Sequence, residues 1–433
     1  MDPVSTPTRP ADNRSTKYNN RLNSQLDYIP PKEFEASGER FNLREGNERM
    51  AERVLRFGLL GPLQVIVDGR PVALGTPKQR AVLAALLIER NRPVGIDSLA
   101  NAAWQDAPPA RAHASIHTYV SNLRRLLGNA GVDPRTVLVN SPPGYRLDIG
   151  DDDVDLGRFI TAKTTGVHAA SVGRFEEATR QLSAAISEWR GPVLQDLNDL
   201  QFFAAFAVGL AEEKVVVQTA RAEAEIACGR CDGVIAELEV LAGEHPYREP
   251  LWAQLITAYY LAGRQSDALD TYRRLKSALA DDLGIDPAAP LQTLHQRILR
   301  QESLDVKRAA QTTAAKTIIA TGRHTSTHAR SAVARLRDTS GQCYELRAAA
   351  TRIGRRADND IVLADPEVSR HHAVIIDTGS SYLITDLQSA NGLEVQQQRI
   401  RTCATLADGD LIGIGLSNFT FEIFSEAAPS APS

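Results

Sequence analysis

The chain holds 433 residues, too many for one ordinary domain and close to three by typical domain size. Hydrophobic residues make up 43% and charged residues 24%, which is globular composition; no apolar run is long enough for a membrane span, and four scattered cysteines cannot form a disulfide framework. The net charge of -4, read alone, argues against nucleic acid, but it is unevenly spread: 0 over 1–53, +5 over 54–150, -9 over 151–303, +3 over 304–329 and -3 over 330–433. A polyanionic partner such as DNA is therefore sought in the second segment.

Residues 1–53 are rich in Asn, Ser, Thr, Pro and mixed charge without helical or strand periodicity, which predicts a disordered extension. The first twenty residues lack the apolar core of a signal peptide, so a cytoplasmic protein is expected. Strand-like runs begin at Val54 to Leu60 and Leu63 to Val72, with Asp68-Gly69 as a hairpin-turn signal. Thr76-Pro77 supplies a helix cap and first-turn proline for a buried helix through Ala81, Leu83, Ala84, Leu86 and Leu87. A short helix from about Asp97 through Trp104 follows, then a longer one from about Ala110 to Leu127, closed by Gly128. Val137 to Val139 and Tyr145 to Ile149 read as a terminal hairpin joined by Asn140-Ser141-Pro142-Pro143-Gly144. Helix, helix, long helix and hairpin is the order of a winged helix-turn-helix, an α+β domain over 54–150.

Residues 151–303 are helical in pattern, with turn signals at Gly173-Arg174, Gly229-Arg230 and Gly263-Arg264. The interval from 229 to 263 is 34 residues, the tetratricopeptide period, so an all-α tetratricopeptide-like scaffold is expected; the 56-residue interval before it makes the array irregular. Residues 304–329, rich in Thr, Ala, Lys and His, read as a linker. From 330 to 425 the period changes to short strands separated by Gly, Asp and Asn turns, predicting an all-β sandwich, with 426–433 a flexible tail.

On a helical wheel Ile116, Val120, Leu123 and Leu127 fall within about 60° of one another and face the core. The opposite side carries Arg111, Ala114, Thr118, Ser121, Asn122 and Arg125, with His117 and Arg124 on one flank. Small polar and cationic side chains on one stripe can reach phosphates and base edges, Arg favouring guanine and Asn adenine.

This segment resembles the OmpR-like winged helix of the actinobacterial SARP regulators through Gly75-Thr76-Pro77-Lys78-Gln79-Arg80, through Ser115-Ile116-His117-Thr118-Tyr119-Val120-Ser121-Asn122-Leu123-Arg124-Arg125, and through Pro143-Gly144-Tyr145-Arg146-Leu147. The resemblance implies that Arg111, Thr118, Ser121, Asn122 and Arg125 face the major groove and that Arg124 and Arg146 contact phosphates, with His117 beside them. The helices that follow, with His245-Pro246-Tyr247-Arg248-Glu249-Pro250 and Asp281-Asp282-Leu283-Gly284, resemble the bacterial transcriptional activation domain of that family.

The C-terminal segment carries Ile353-Gly354-Arg355, Asn359-Asp360, Ser369-Arg370-His371-His372 and Ser389-Ala390-Asn391-Gly392 on loops between strands. Together they resemble the forkhead-associated (FHA) domain, a phosphothreonine-binding module. A phosphate dianion can be held by an arginine fork, a hydroxyl and backbone amides without a deep pocket. The resemblance implies phosphate contacts from Arg355 and Ser369, added charge from Arg370, and a grip on the peptide backbone by Asn391. Gly354 and Gly392 serve close turns, and His372 braces the serine loop. Ala390 stands where a hydroxyl residue is common. The His371-His372 pair lacks further ligands at metal spacing, so no metal or cofactor is expected. Cys228 and Cys231 form a lone pair without a redox fold around it, and no catalytic motif was found, so an enzyme is not expected.

The three-part order resembles mycobacterial FHA-bearing SARP regulators. It implies a transcription factor for cell-wall arabinosyltransferase genes that binds double-stranded promoter DNA, answers to a phosphorylated Ser/Thr protein kinase through the FHA domain and engages RNA polymerase. The linker threonines Thr312, Thr313, Thr317, Thr321, Thr325 and Thr327 are the acceptor candidates. The competing expectation is a signalling adaptor or decoy that binds the kinase without regulating a promoter.

Overall fold

The computed structural model describes residues 54–105, 107–321, 332–346, 350–357, 359–378, 381–400 and 403–425. The expected disordered extension 1–53 and tail 426–433 lie outside them. The first sheet is antiparallel: β1 (Leu55–Gly58), β2 (Gln64–Val67) and β3 (Arg70–Pro71), with Asp68 and Gly69 both at positive φ in the β2–β3 turn. Helix α1 (Pro77–Ile88) starts as its sequence dictates, the Thr76 hydroxyl accepting from the Gln79 amide at 3.3 Å ahead of a first-turn proline. It is buried on nearly every side.

Next come β4 (Val94–Gly95), α2 (Ile96–Trp104), α3 (Ala112–Asn129), the single turn α4 (Pro134–Val137), β5 (Leu138–Ser141) and β6 (Gly144–Leu147). The wing is a three-stranded sheet in the order β4-β6-β5, one strand more than the expected hairpin. Gly144 lets β4 approach, since a Cβ there would lie 2.1 Å from the Val94 carbonyl oxygen. Gly128 does not close α3. It sits inside the last turn, and the helix is capped at Ala130.

The helical region runs α5 (Asp155–Ser171), α6 (Phe175–Ser187), α7 (Gln201–Ala227), α8 (Cys231–Glu244), α9 (Glu249–Leu261), α10 (Gln265–Leu283) and α11 (Ala289–Leu299). Gly173, Gly229 and Gly263 have φ of 78°, 81° and 76°, and each precedes an arginine that occupies the cap position of the next helix. The irregular interval has a structural cause: the 27-residue α7 is preceded by a non-helical stretch holding a short 3₁₀ turn at Gln195–Leu197.

The segment 304–329 is not a plain linker. Residues Val306–Thr321 form α12, which packs on α5 and α7. Ala310 and Ala314 are buried and Ile318 packs beside them, a stripe at intervals of four. Thr312 and Thr317 return their hydroxyls to the carbonyls of Arg308 and Thr313 at 2.8 and 3.0 Å, which lets threonine sit in a helix. Thr325 and Thr327 lie outside the described residues.

The last region is a sandwich of two sheets. One takes the order β10-β9-β11-β12-β15, from β9 (Ala350–Gly354), β10 (Ile361–Val362), β11 (Ala373–Asp377), β12 (Tyr382–Asp386) and β15 (Cys403–Leu406). The other takes β14-β13-β16-β17-β7-β8, from β7 (Ala332–Asp338), β8 (Cys343–Leu346), β13 (Leu393–Val395), β14 (Gln398–Ile400), β16 (Leu411–Ile414) and β17 (Ser417–Ser425). The multidomain architecture expected from the sequence is therefore observed: a winged helix, an all-α scaffold and an all-β sandwich.

The three regions are packed together. One apolar cluster runs from Phe57 and Leu86 through Phe159, Phe203 and Phe206 to Val374 and Ile376 of the sandwich. The buried Asp155 accepts the amides of Leu59 and Leu60 at 2.8 and 2.9 Å and pairs with Arg190, welding the winged helix to α5. On the other side the buried Lys163–Glu213 pair is extended by the Ser381 hydroxyl, and the Ala350 amide donates to Glu89 at 2.9 Å. These contacts hold both candidate sites in one frame.

Candidate functional site

The first site is the outer face of α3. Ala112, Ile116, Val120, Leu123 and Leu127 are buried, as the wheel predicts, and Arg111, His117, Thr118, Ser121 and Arg125 are exposed, with Asn122 half-buried. Arg111 occupies the cap position rather than the helix proper. Thr118 donates back to the Ala114 carbonyl at 3.0 Å, and Arg125 reaches the Asn122 side-chain oxygen at 3.1 Å, so the two stripe residues named for guanine and adenine are neighbours on the surface.

Three of the named residues have partners within the domain. The Arg124 guanidinium donates twice to the Leu138 carbonyl at 2.9 and 2.7 Å and once to Asn140, with the Tyr145 ring 5.6 Å away; it fastens α3 to the wing. His117 Nδ1 lies 2.6 Å from the Tyr145 hydroxyl, a second tie of the same kind. Arg146 is paired with Asp148, which holds its guanidinium above the ordinary range, so its charge is already balanced within the wing. Tyr145 and Asn140 are thus positioning residues that the wheel, confined to one helix, did not single out.

The second site is a cleft of about 410 Å³ at one end of the sandwich, lined by Arg355, Glu367, Ser369, Arg370, Asn391 and, from α7, Gln201 among others. Its loops are tied to each other through the backbone. The Arg355 amide donates to the Ser369 carbonyl at 3.0 Å, and the Ala390 amide donates to the Ser369 hydroxyl oxygen at 3.0 Å, which leaves that hydroxyl's proton to be given outward. The Arg355 side chain is exposed and makes no ion pair among the described residues. Asn391 donates its amide to the Glu367 carbonyl oxygen at 2.8 Å and to the Glu367 carboxylate at 2.6 Å, so its oxygen is the atom left to a peptide.

Beneath the cleft, His372 is fully buried. Its Nδ1 accepts the Ser369 amide at 3.1 Å, so Nε2 is the nitrogen that donates to the Gly392 carbonyl, at 3.0 Å. One ring spans the serine loop and the Asn-Gly turn. At Gly354 a Cβ would stand 2.4 Å from the Arg370 carbonyl oxygen, and Gly392 has φ 81°. Asn359, quoted in the motif without a role, is the further brace: its amide donates to the carbonyls of Arg356 and Arg370 at 2.9 and 2.8 Å, and its oxygen lies 3.0 Å from His371 Nδ1. A buried Asn on a loop is the sequence signal for such a clamp, but burial is not visible in a loop.

Among the described residues no group of three or more His, Cys, Asp or Glu is placed to hold a metal ion. Cys228 ends α7 and Cys231 begins α8, unpaired with each other, and burial pushes both thiols up, which disfavours the reactive thiolate.

The family described as "Transcriptional regulatory protein, C terminal" matches residues 69–147, "Bacterial transcriptional activator domain" matches 154–299 and "FHA domain" matches 351–415. The chain is 63% identical over 373 residues to the "Transcriptional regulatory protein EmbR" of Mycobacterium tuberculosis, covering 86% of this chain and 96% of that one. It is 52% identical over 252 residues to the "Transcriptional regulatory protein MoaR1" of the same species, over 58% of this chain and 81% of the relative. A solved structure of Mycobacterium tuberculosis EmbR in complex with a low affinity phosphopeptide superposes with a TM-score of 0.84 at 62% identity, covering 87% of this chain and all of that one.

Proposed function

The chain belongs to the EmbR family of transcriptional regulators, and from that premise we propose that it reads promoter DNA with α3 and is governed by a phosphothreonine-bearing partner held in the sandwich cleft. Arg111, Thr118, Ser121, Asn122 and Arg125 enter the major groove; His117 and Arg124 set the wing against the helix. Arg355 and Ser369 hold the phosphate, Arg370 adds charge and Asn391 engages the peptide backbone. The observation that carries this reading is the coexistence of two open, chemically distinct surfaces on one packed frame: an exposed polar stripe with two arginines, and a cleft with an exposed arginine beside an outward hydroxyl.

The partner is a phosphorylated Ser/Thr protein kinase, the targets include cell-wall arabinosyltransferase promoters, RNA polymerase is engaged once the DNA is bound, and the work is done in the cytoplasm without a catalytic step of the chain's own. Two features support the setting: the relatives are transcriptional regulators by name, and no helix among the described residues is long and apolar enough to cross a membrane. The decisive experiment is footprinting over a salt series. Sequence-specific protection lost in Arg111→Ala and Arg125→Ala is expected; weak protection everywhere, indifferent to both variants, would make the chain a kinase-binding adaptor instead.

A further inference from the structure

The cleft has one wall that does not belong to the sandwich. Gln201, the first residue of α7, lines it together with Arg355, Ser369 and Asn391, and is exposed. The two residues after it are fixed on either side. Phe202 lies under the Arg352 guanidinium of β9, 5.6 Å from ring centre to cation, and Phe203 is fully buried. Gln201 therefore cannot drift from the cleft without unpacking the junction. Its amide can both donate and accept, which suits a peptide backbone or polar side chain next to a phosphothreonine. Neither an acidic side chain in the first turn nor a side-chain cap occupies this end of α7.

The stretch leading into Gln201 is held by the winged helix. The Leu194 amide donates to the carbonyls of Leu59 and Gly61, and Leu194 adopts φ 47°. Asp196 accepts the Leu63 amide at 2.9 Å and pairs with Arg80 of α1 at 2.9 Å. The Asp199 carbonyl accepts from Gln105, which ends α2, at 3.0 Å. Within eight residues the chain passes from three anchors on the DNA-reading region to the wall of the phosphate-reading cleft.

Resting on the phosphothreonine reading above, we propose that the peptide site is shared between two domains: Gln201 touches the bound peptide and sets preference at positions flanking the phosphothreonine, and segment 194–201 ties occupancy of the cleft to the winged helix. Such a coupling needs a contact that the ligand makes in one state and not in the other, and the Gln201 contact would be lost in a state where the junction around Phe202 and Phe203 is unpacked.

The test uses the full chain and a panel of phosphothreonine peptides that differ at the flanking positions, titrated by calorimetry, with Arg355→Ala as reference. Gln201→Ala is expected to weaken binding by roughly threefold to tenfold and to reorder the panel, the loss being that of one hydrogen-bonding group. Gln201→Glu is expected to weaken it further by repelling the phosphate, although a glutamate at a helix start favours the helix, so an unchanged melting temperature separates repulsion from unfolding. Arg355→Ala weakening binding while both Gln201 variants match wild type for every peptide would overturn the shared site and leave the phosphothreonine reading intact. Wild-type chain that binds none of the peptides would overturn both. For the tie, duplex affinity is measured with and without saturating peptide: a ratio different from one in wild type that returns toward one in Asp196→Ala supports it, and a wild-type ratio of one overturns it.

Discussion

A single guanidinium carries different weight according to what already holds it, and the arginines here divide on that basis. Arg355 is exposed with no ion pair among the described residues, so Arg355→Ala removes a charge-assisted contact worth about 1.5–3 kcal/mol and weakens a phosphothreonine peptide by roughly tenfold to a hundredfold. Calorimetric titration checks this, and unchanged affinity would remove Arg355 from the site. On α3 the comparison is between neighbours. Arg125→Ala is expected to lower duplex affinity by about 1–3 kcal/mol and relax the sequence preference while leaving the melting temperature alone. Arg124→Ala, which strips the donors from the Leu138 carbonyl, is expected to destabilise the winged helix by about 1–2 kcal/mol as well. Paired thermal melts and duplex titrations distinguish the two. The wheel put both arginines in play because it records only angle; it has no access to a wing that arrives from residues 138–147.

At the scale of the element, α12 is where composition misled. Thr, Ala and Lys look like linker, and the stripe of buried Ala310 and Ala314 and half-buried Ile318 is too small in side-chain volume to register as an apolar face until α5 and α7 are there to receive it. The same helix sets a pH dependence. The Glu223 carboxyl of α7, facing Thr313 and bonded to Gln254 at 3.0 Å, is pushed up to about 7 by burial. Its proton is held more tightly in the folded chain than in the unfolded one. The group therefore costs nothing below the unfolded value near 4.5, costs progressively more as pH rises toward 7, and a constant amount above that. Glu223→Gln is expected to flatten stability between those limits and to stabilise the protein by up to about 3 kcal/mol at pH 8. Denaturant melts across pH check it; identical profiles for wild type and variant would contradict it. Other elements were legible for physical reasons that act locally. The Thr76-Pro77 start of α1 and the Gly-Arg turns of the helical region are conditions on neighbouring residues. The pairing of β4 with β6 and the seating of Gln201 in the cleft join residues far apart in the chain.

For the molecule as a whole, the net charge of -4 is an average over parts with opposite tasks. A winged-helix segment of +5 sits beside a helical scaffold of -9, which concentrates the positive charge on the region that carries α3. Asp155, Glu89 and Glu213 fasten the three regions into one frame, so the sandwich cleft and the outer face of α3 are carried by one packed body. The most direct test of the proposal that α3 reads promoter DNA is a genome-wide map of DNA occupancy by the wild-type chain and by the Arg111→Ala, Arg125→Ala double variant, each expressed at the same level. Discrete promoter sites in the wild type that vanish in the double variant are predicted; sites that persist unchanged in the variant, or no discrete sites in either, would contradict it.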